Sequence, residues 1–151
     1  MLRGSSFLLE RSYKFYENLI EVIATLDQRI WTIDVMDYDD PTCRALLLDC
    51  KHQIFHALGR RNMPSDVLIT KIMLGVFGNV PAFDQYFRKG FKLSNLTDKS
   101  LLKIHNYYTS CKNEIDTIDI KTLDFNTGFE TKRKYTKAKI IDMIGFIEGQ
   151  K

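Results

Sequence analysis

Apolar residues recur at three- and four-residue intervals along most of this chain, the spacing of amphipathic helices. Over 7–27 the rhythm is kept by Phe7, Leu8, Phe15, Tyr16, Leu19, Ile20, Val22, Ile23 and Leu26, which predicts one long helix walling the core. Asp40-Pro41 predicts the next start, because aspartate caps free amides and proline at the first helical position sacrifices no hydrogen bond. Ala45, Leu46, Leu47, Cys50, Ile54, Phe55 and Leu58 carry that helix over about 41–58, to a stop at Gly59. Ser65 caps a third helix that runs through Phe77 and is apolar on most faces, as expected of the element in the middle of a bundle. Gly78-Asn79 ends it, Asp84 caps a short helix through Lys89, and Thr97 opens another bearing Leu101, Leu102, Ile104, Tyr107 and Tyr108. Thr136 caps a last helix with Ile140, Ile141, Ile144, Phe146 and Ile147.

The helical period fails in two places. Residues 29–35 are short and β-branched with no partner strand, which predicts an extended link whose Trp31 packs down. Residues 118–132 alternate weakly around Asn126-Thr127-Gly128, a pattern that allows a small β-hairpin. The expected fold is all-α, a single compact domain over 1–151 of five or six helices around the central apolar helix at about 66–77.

Composition narrows the class of protein. The 151 residues are 44% hydrophobic and 27% charged, ordinary globular usage that predicts a packed core without a staple. Cys43, Cys50 and Cys111 are an odd number without a Cys-x-x-Cys pair, which suits free thiols in a reducing compartment. No run approaches the ~20 apolar residues of a membrane span, and the first residues lack the long apolar core of a signal peptide. The expectation is a cytoplasmic protein with no membrane partner.

A formal net charge of +3 says little, but its distribution says more. Asp34, Asp37, Asp39 and Asp40 cluster before the second helix, where the reading is a solvated acidic cap rather than a calcium loop. Between Arg88 and Lys112 there are six cations, Arg88, Lys89, Lys92, Lys99, Lys103 and Lys112, against the single acid Asp98. With Tyr86, Phe87, Phe91, Tyr107 and Tyr108 interleaved, this is the composition of a nucleic-acid face, cations for phosphates and rings for bases, and equally that of two amphipathic helices. His52 and His56 stand one helical turn apart, the zinc-protease spacing, but Gln53 replaces the glutamate that would act as general base. No metal and no cofactor is expected.

Thr70-Lys71, an apolar helix ending in Phe77-Gly78, a proline at position 81, then Asp84 followed by aromatics and Arg88, resembles the end of the catalytic core of the helix-hairpin-helix DNA glycosylases. The resemblance covers about residues 70–91, and the Gly-x-Gly hairpin of that family has no counterpart in the glycine-free segment 62–69. It implies that Asp84 assists cleavage between base and sugar, where a carboxylate stabilises an oxocarbenium-like transition state, with Lys71 one helical step beyond the usual site of that family's catalytic lysine. Two functions are therefore expected from the sequence. One is a small helical binding module that contacts DNA, RNA or an acidic protein through Arg88, Lys89, Lys92, Lys99, Lys103, Tyr86 and Tyr107. The other is a reduced glycosylase-like enzyme that uses Asp84.

Overall fold

The computed structural model describes residues 12–59 and 63–151. Among the described residues seven α-helices follow one another: α1 (Glu17–Thr25), α2 (Pro41–Ala57), α3 (Asp66–Val76), α4 (Gln85–Phe91), α5 (Asp98–Ser110), α6 (Lys112–Thr117) and α7 (Lys137–Gln150). Between α6 and α7 a two-stranded antiparallel hairpin joins β1 (Lys121–Leu123) to β2 (Glu130–Lys134). The all-α reading with a small hairpin holds. The extra helix arises because α5 breaks at Cys111, and α6 continues beyond it as a separate short element. Among the described residues no helix is long and apolar enough to cross a membrane.

Local chemistry explains most helix starts. Asp40 Oδ1 accepts the Thr42 N–H at 2.8 Å with Pro41 at the first position, and Ser65 Oγ accepts the Leu68 N–H at 3.3 Å. Thr97 and Ser100 form a reciprocal capping box on α5. Thr136 Oγ1 accepts the Lys139 N–H at the start of α7.

The link before α2 differs from expectation. Instead of an extended segment, residues 28–37 hold two 3-10 turns, Gln28–Trp31 and Val35–Asp37, because Asp27 and Asp34 each cap the turn beyond them. β-branched residues disfavour a helix only weakly, and two side-chain acceptors outweigh that preference. Trp31 remains 46% exposed and meets the edge of Phe77 at 4.7 Å between ring centroids. Of the expected helix over 7–27, residues 7–11 lie outside the described residues; the rest is a 3-10 turn, Tyr13–Tyr16, leading into α1.

The buried side chains form one cluster, drawn from Leu47, Cys50 and Ile54 on α2, Ile69 and Met73 on α3, Phe83 and Phe87, Leu101 and Ile104 on α5, and Ile140 and Ile141 on α7. Burial raises the Cys50 thiol pKa to about 12, which keeps it an inert thiol inside this core. Arg44, also buried, donates to Asp98 at 2.6 Å and to the carbonyls of Tyr38 and Asp39, clasping the 3-10 region onto α5.

Helices α4 and α7 approach most intimately through glycine. A β-carbon on Gly145 would lie 2.4 Å from Phe87 Cδ2, one on Gly90 would lie 2.6 Å from the Gly145 carbonyl oxygen, and one on Gly149 would overlap the backbone of Tyr86. Side chains larger than hydrogen would force the helices apart.

Candidate functional site

The loop 78–84 hangs between α3 and α4 and is tied at nearly every residue. Gly78 takes φ +70°, a left-handed turn open to glycine, and its carbonyl accepts the Thr136 hydroxyl at 2.6 Å. Asn79 donates to the Ile30 carbonyl at 3.1 Å and accepts the buried Tyr38 hydroxyl on its own carbonyl. The Phe83 N–H reaches back to Thr70 Oγ1 at 2.9 Å, and the Ala82 N–H donates to Asp142 Oδ1 at 2.8 Å. The loop is therefore a fixed frame, and Asp84 stands where it ends.

Asp84 Oδ1 accepts the N–H groups of Tyr86 and Phe87, both at 3.0 Å, so the residue caps α4 as its sequence context predicts. Asp142, the one acid in the apolar stretch 140–147 of α7 and not singled out by the sequence reading, joins it. Burial pushes the Asp142 pKa up to about 6; the Ala82 N–H opposes that rise, the negative charge of Asp84 reinforces it, and Lys71 and Lys139 offset it. Lys71 and Asp84 are thus brought into electrostatic reach of a second carboxylate. The clue available in the sequence was the solitary acid in Ile140-Ile141-Asp142-Met143-Ile144, whose partner lies 60 positions away.

This arrangement fixes the sign of a pH effect. With its pKa raised on folding, Asp142 contributes stability that is complete below the ordinary aspartate pKa near 4 and disappears as pH rises through 6. Asp142→Asn retains an acceptor for the Ala82 N–H. It is expected to stabilise the protein at pH 7.5 by about 1–2 kcal/mol after discounting for partial exposure. It is also expected to flatten the stability profile between pH 4 and 6. Urea melts at pH 4, 6 and 7.5 check this; an unchanged profile in the variant would remove the effect.

The basic aromatic residues gather on the opposite end of α4. Lys92 ends the helix in the left-handed region at φ 51°, and the turn swings it toward α5, where Lys103 Nζ donates to its carbonyl at 3.4 Å. Tyr107, one turn beyond Lys103, sets its ring edge-on to Phe91 at 4.8 Å between centroids. Lys92, Lys103 and Tyr107, with Gly90, Phe91 and Glu148, line an open cleft of about 260 Å³. Arg88 and Lys89 on α4 and Lys99 on α5 do not line it. Tyr86 faces elsewhere, its ring 4.9 Å from Phe146 of α7. Glu148, absent from the sequence reading, supplies the acidic wall and pairs with Lys151 at 2.6 Å.

Ion pairs hold eight of the described cations, and Lys14, Lys71, Lys132, Arg133 and Lys139 are in none of them. Arg29, Arg44, Lys51, Lys112, Lys121, Lys134, Lys137 and Lys151 all hold an acid within 4.0 Å. Among the described residues none of Arg88, Lys89, Lys92, Lys99 or Lys103 does. Lys112, the sixth cation of the run, is occupied by Asp116 and the Tyr108 hydroxyl.

His52 and His56 bring their Nε2 atoms to 2.9 Å, and among the described residues no group of three potential ligands could hold a metal ion. His105 is remote from them and engages the Val35 carbonyl. Of the acidic cluster, Asp40 caps α2 as expected. Asp34 instead turns inward, accepting the N–H groups of Val35, Lys137 and Ala138. No protein-family model, curated protein or solved structure matches this chain.

Proposed function

We propose that this chain is a nucleic-acid-binding module that engages the phosphate backbone with Arg88, Lys89, Lys92, Lys99 and Lys103, around the cleft floored by Phe91 and Tyr107. The observation that carries this reading is that, among the described residues, five cations close together in sequence at α4 and α5, Arg88, Lys89, Lys92, Lys99 and Lys103, have no acid within 4.0 Å, and two of them line one cleft. A surface kept positive and unneutralised has its natural counterpart in a polyanion, whose condensed counterions are released on contact. Half-buried Tyr107 offers a ring edge at the same place.

The test is binding of labelled single- and double-stranded oligonucleotides at 50 and 200 mM salt, with Lys92→Ala/Lys103→Ala beside the unaltered protein. Affinity should fall steeply with salt, and the double substitution should make the logarithmic salt slope shallower by roughly 1.5–2. No binding to any oligonucleotide at low salt would remove the reading. Binding of polyglutamate in its place would redirect it to an acidic protein partner.

A second reading, N-glycosidic cleavage assisted by Asp84, draws support from the neighbouring Asp142 and Lys71, because a buried carboxyl whose pKa is raised to about 6 is suited to acid–base chemistry. Asp84 does not line the cleft formed by Lys92, Lys103 and Tyr107. Asparagine caps a helix nearly as well as aspartate, so Asp84→Asn should leave stability almost unchanged. If bases are released from a modified oligonucleotide, that variant should abolish release without weakening binding; release at the original rate would exclude Asp84.

A further inference from the structure

The hairpin between α6 and α7 stands outside the core on both faces, yet its shape is closely specified. β1 and β2 pair in antiparallel register, Lys121 opposite Lys134 and Leu123 opposite Glu130. At the turn, Asp124 Oδ1 accepts from the N–H groups of Asn126 and Thr127 and from the Thr127 hydroxyl, at 2.8–3.0 Å. The Asp124 N–H donates to the Phe129 carbonyl at 2.8 Å, and Gly128, at φ +72°, donates to the Asp124 carbonyl at 2.8 Å. Across the strands the Thr122 and Thr131 hydroxyls meet, Lys121 pairs with Glu130, and Lys134 pairs with Asp119. An isolated two-stranded hairpin is marginal in water, so these ties are what hold it.

None of them involves the apolar side chains it carries. Phe125 is 101% exposed, Phe129 76% and Leu123 65%, and among the described residues neither phenylalanine ring has an aromatic neighbour. A single exposed apolar residue is ordinary, but three on one projecting turn are a contact surface. Its charge says what it fits. Of the four cations on the two strands, Lys121 and Lys134 are neutralised, while Lys132 and Arg133 have no acid partner among the described residues. The partner must therefore offer flat apolar faces beside anions.

We infer that the hairpin is a second nucleic-acid contact, in which Phe125 and Phe129 stack on unpaired bases while Lys132 and Arg133 meet the adjoining phosphates. The inference rests on the nucleic-acid reading of the cleft and adds a preference for single strands, whose base faces are open to stacking. An anionic bilayer would also offer apolar matter beside charge. Asp124 argues against it: the turn amides and the Thr127 hydroxyl keep its carboxyl ionised, at the very tip that would have to enter the acyl region. Stacking leaves that carboxylate in water.

The experiment is a titration of Phe125→Trp, made in a Trp31→Phe background so that the new indole is the only one. The titrants are a fifteen-nucleotide thymidine oligonucleotide, a duplex of equal length, and vesicles of phosphatidylserine and phosphatidylcholine. Phe125→Ala/Phe129→Ala is measured beside it in the native background. Both sites are solvent-exposed, so an unchanged far-ultraviolet circular dichroism spectrum is expected for each. The supporting result has three parts: indole quenching by the single strand, weaker by duplex; about tenfold loss of single-strand affinity per ring removed; and an unaltered salt slope, since the rings carry no charge. A blue shift on vesicles with no response to the oligonucleotide would overturn the inference in favour of lipid. Equal oligonucleotide affinity for Phe125→Ala/Phe129→Ala and the native protein, with Lys92→Ala/Lys103→Ala still impaired, would overturn it while leaving the cleft reading intact. Absence of binding by every form would overturn both.

Discussion

Gly145→Ala is expected to destabilise the protein by about 2–3 kcal/mol, although alanine is the better helix former by about 1 kcal/mol. The added methyl would sit 2.4 Å from Phe87 Cδ2 and 2.9 Å from Phe91 Cδ2. Neither ring has room to retreat, since Phe87 and Phe91 are buried and stacked on each other at 4.6 Å, and Phe87 also packs on Phe83. Relief must come from separating α4 and α7, which would loosen the Gly90 and Gly149 contacts as well. For a domain of this size the loss corresponds to roughly 5–10 °C in melting temperature. Gly75→Ala is the control. It lies inside α3 with nothing within 4 Å of an added β-carbon, so the same substitution should stabilise by about 0.5–1 kcal/mol. Thermal melts of the two variants should therefore move in opposite directions; a shared direction would mean that propensity, not the helix contact, governs both.

The other large effect belongs to Asp34. Its Oδ2 accepts the Lys137 N–H at 2.7 Å and its Oδ1 the Ala138 N–H at 2.8 Å, serving the first two amides of α7 from a residue more than 100 positions earlier. Oδ1 also accepts the Val35 N–H at 2.7 Å. Asp34→Ala strands these donors in a site that water reaches poorly, at a cost of about 2–4 kcal/mol. Burial holds the Asp34 pKa above its ordinary value against those same hydrogen bonds. Asp34→Asn, which keeps one oxygen and brings no charge into the interior, should recover part of the loss. Urea denaturation of both variants at pH 7 measures the difference. Equal losses would show that the charge itself, not the acceptor oxygen, anchors α7.

The helices were legible because their signals are local. Asp40-Pro41, Ser65, Asp84, Thr97 and Thr136 each cap the adjoining helix through a bond to an amide two or three residues away, a distance the sequence displays directly. The hairpin was legible for the same reason, its Asn-Thr-Gly turn being self-contained. The features that escaped depend on distant partners. Asp34 looked like one member of a solvated acidic loop until α7 was laid over it, and Asp142 acquired its environment only when Ala82 and Asp84 arrived from another part of the chain. On the candidate face, the charge run marked a segment but not its arrangement. Which members converge depended on the left-handed turn at Lys92, a conformation uncommon for lysine, so Lys92, Lys103 and Tyr107 meet while Tyr86 does not.

The clasp on α7 also has a bearing on how this chain is made. Its anchors span long intervals: Asp34 to Lys137 and Ala138, Gly78 to Thr136, Ala82 to Asp142. Contacts of such separation are slow to form, because the intervening loop must close before anything is gained. A ribosome that has released only the first 130 residues presents Phe87 and Phe91 without the α7 backbone that covers them and Asp34 without the α7 amides it serves. These ties to α7 therefore form only after residues 136–142 are available, and until then the stacked phenylalanines lack the glycine face of α7 that packs against them.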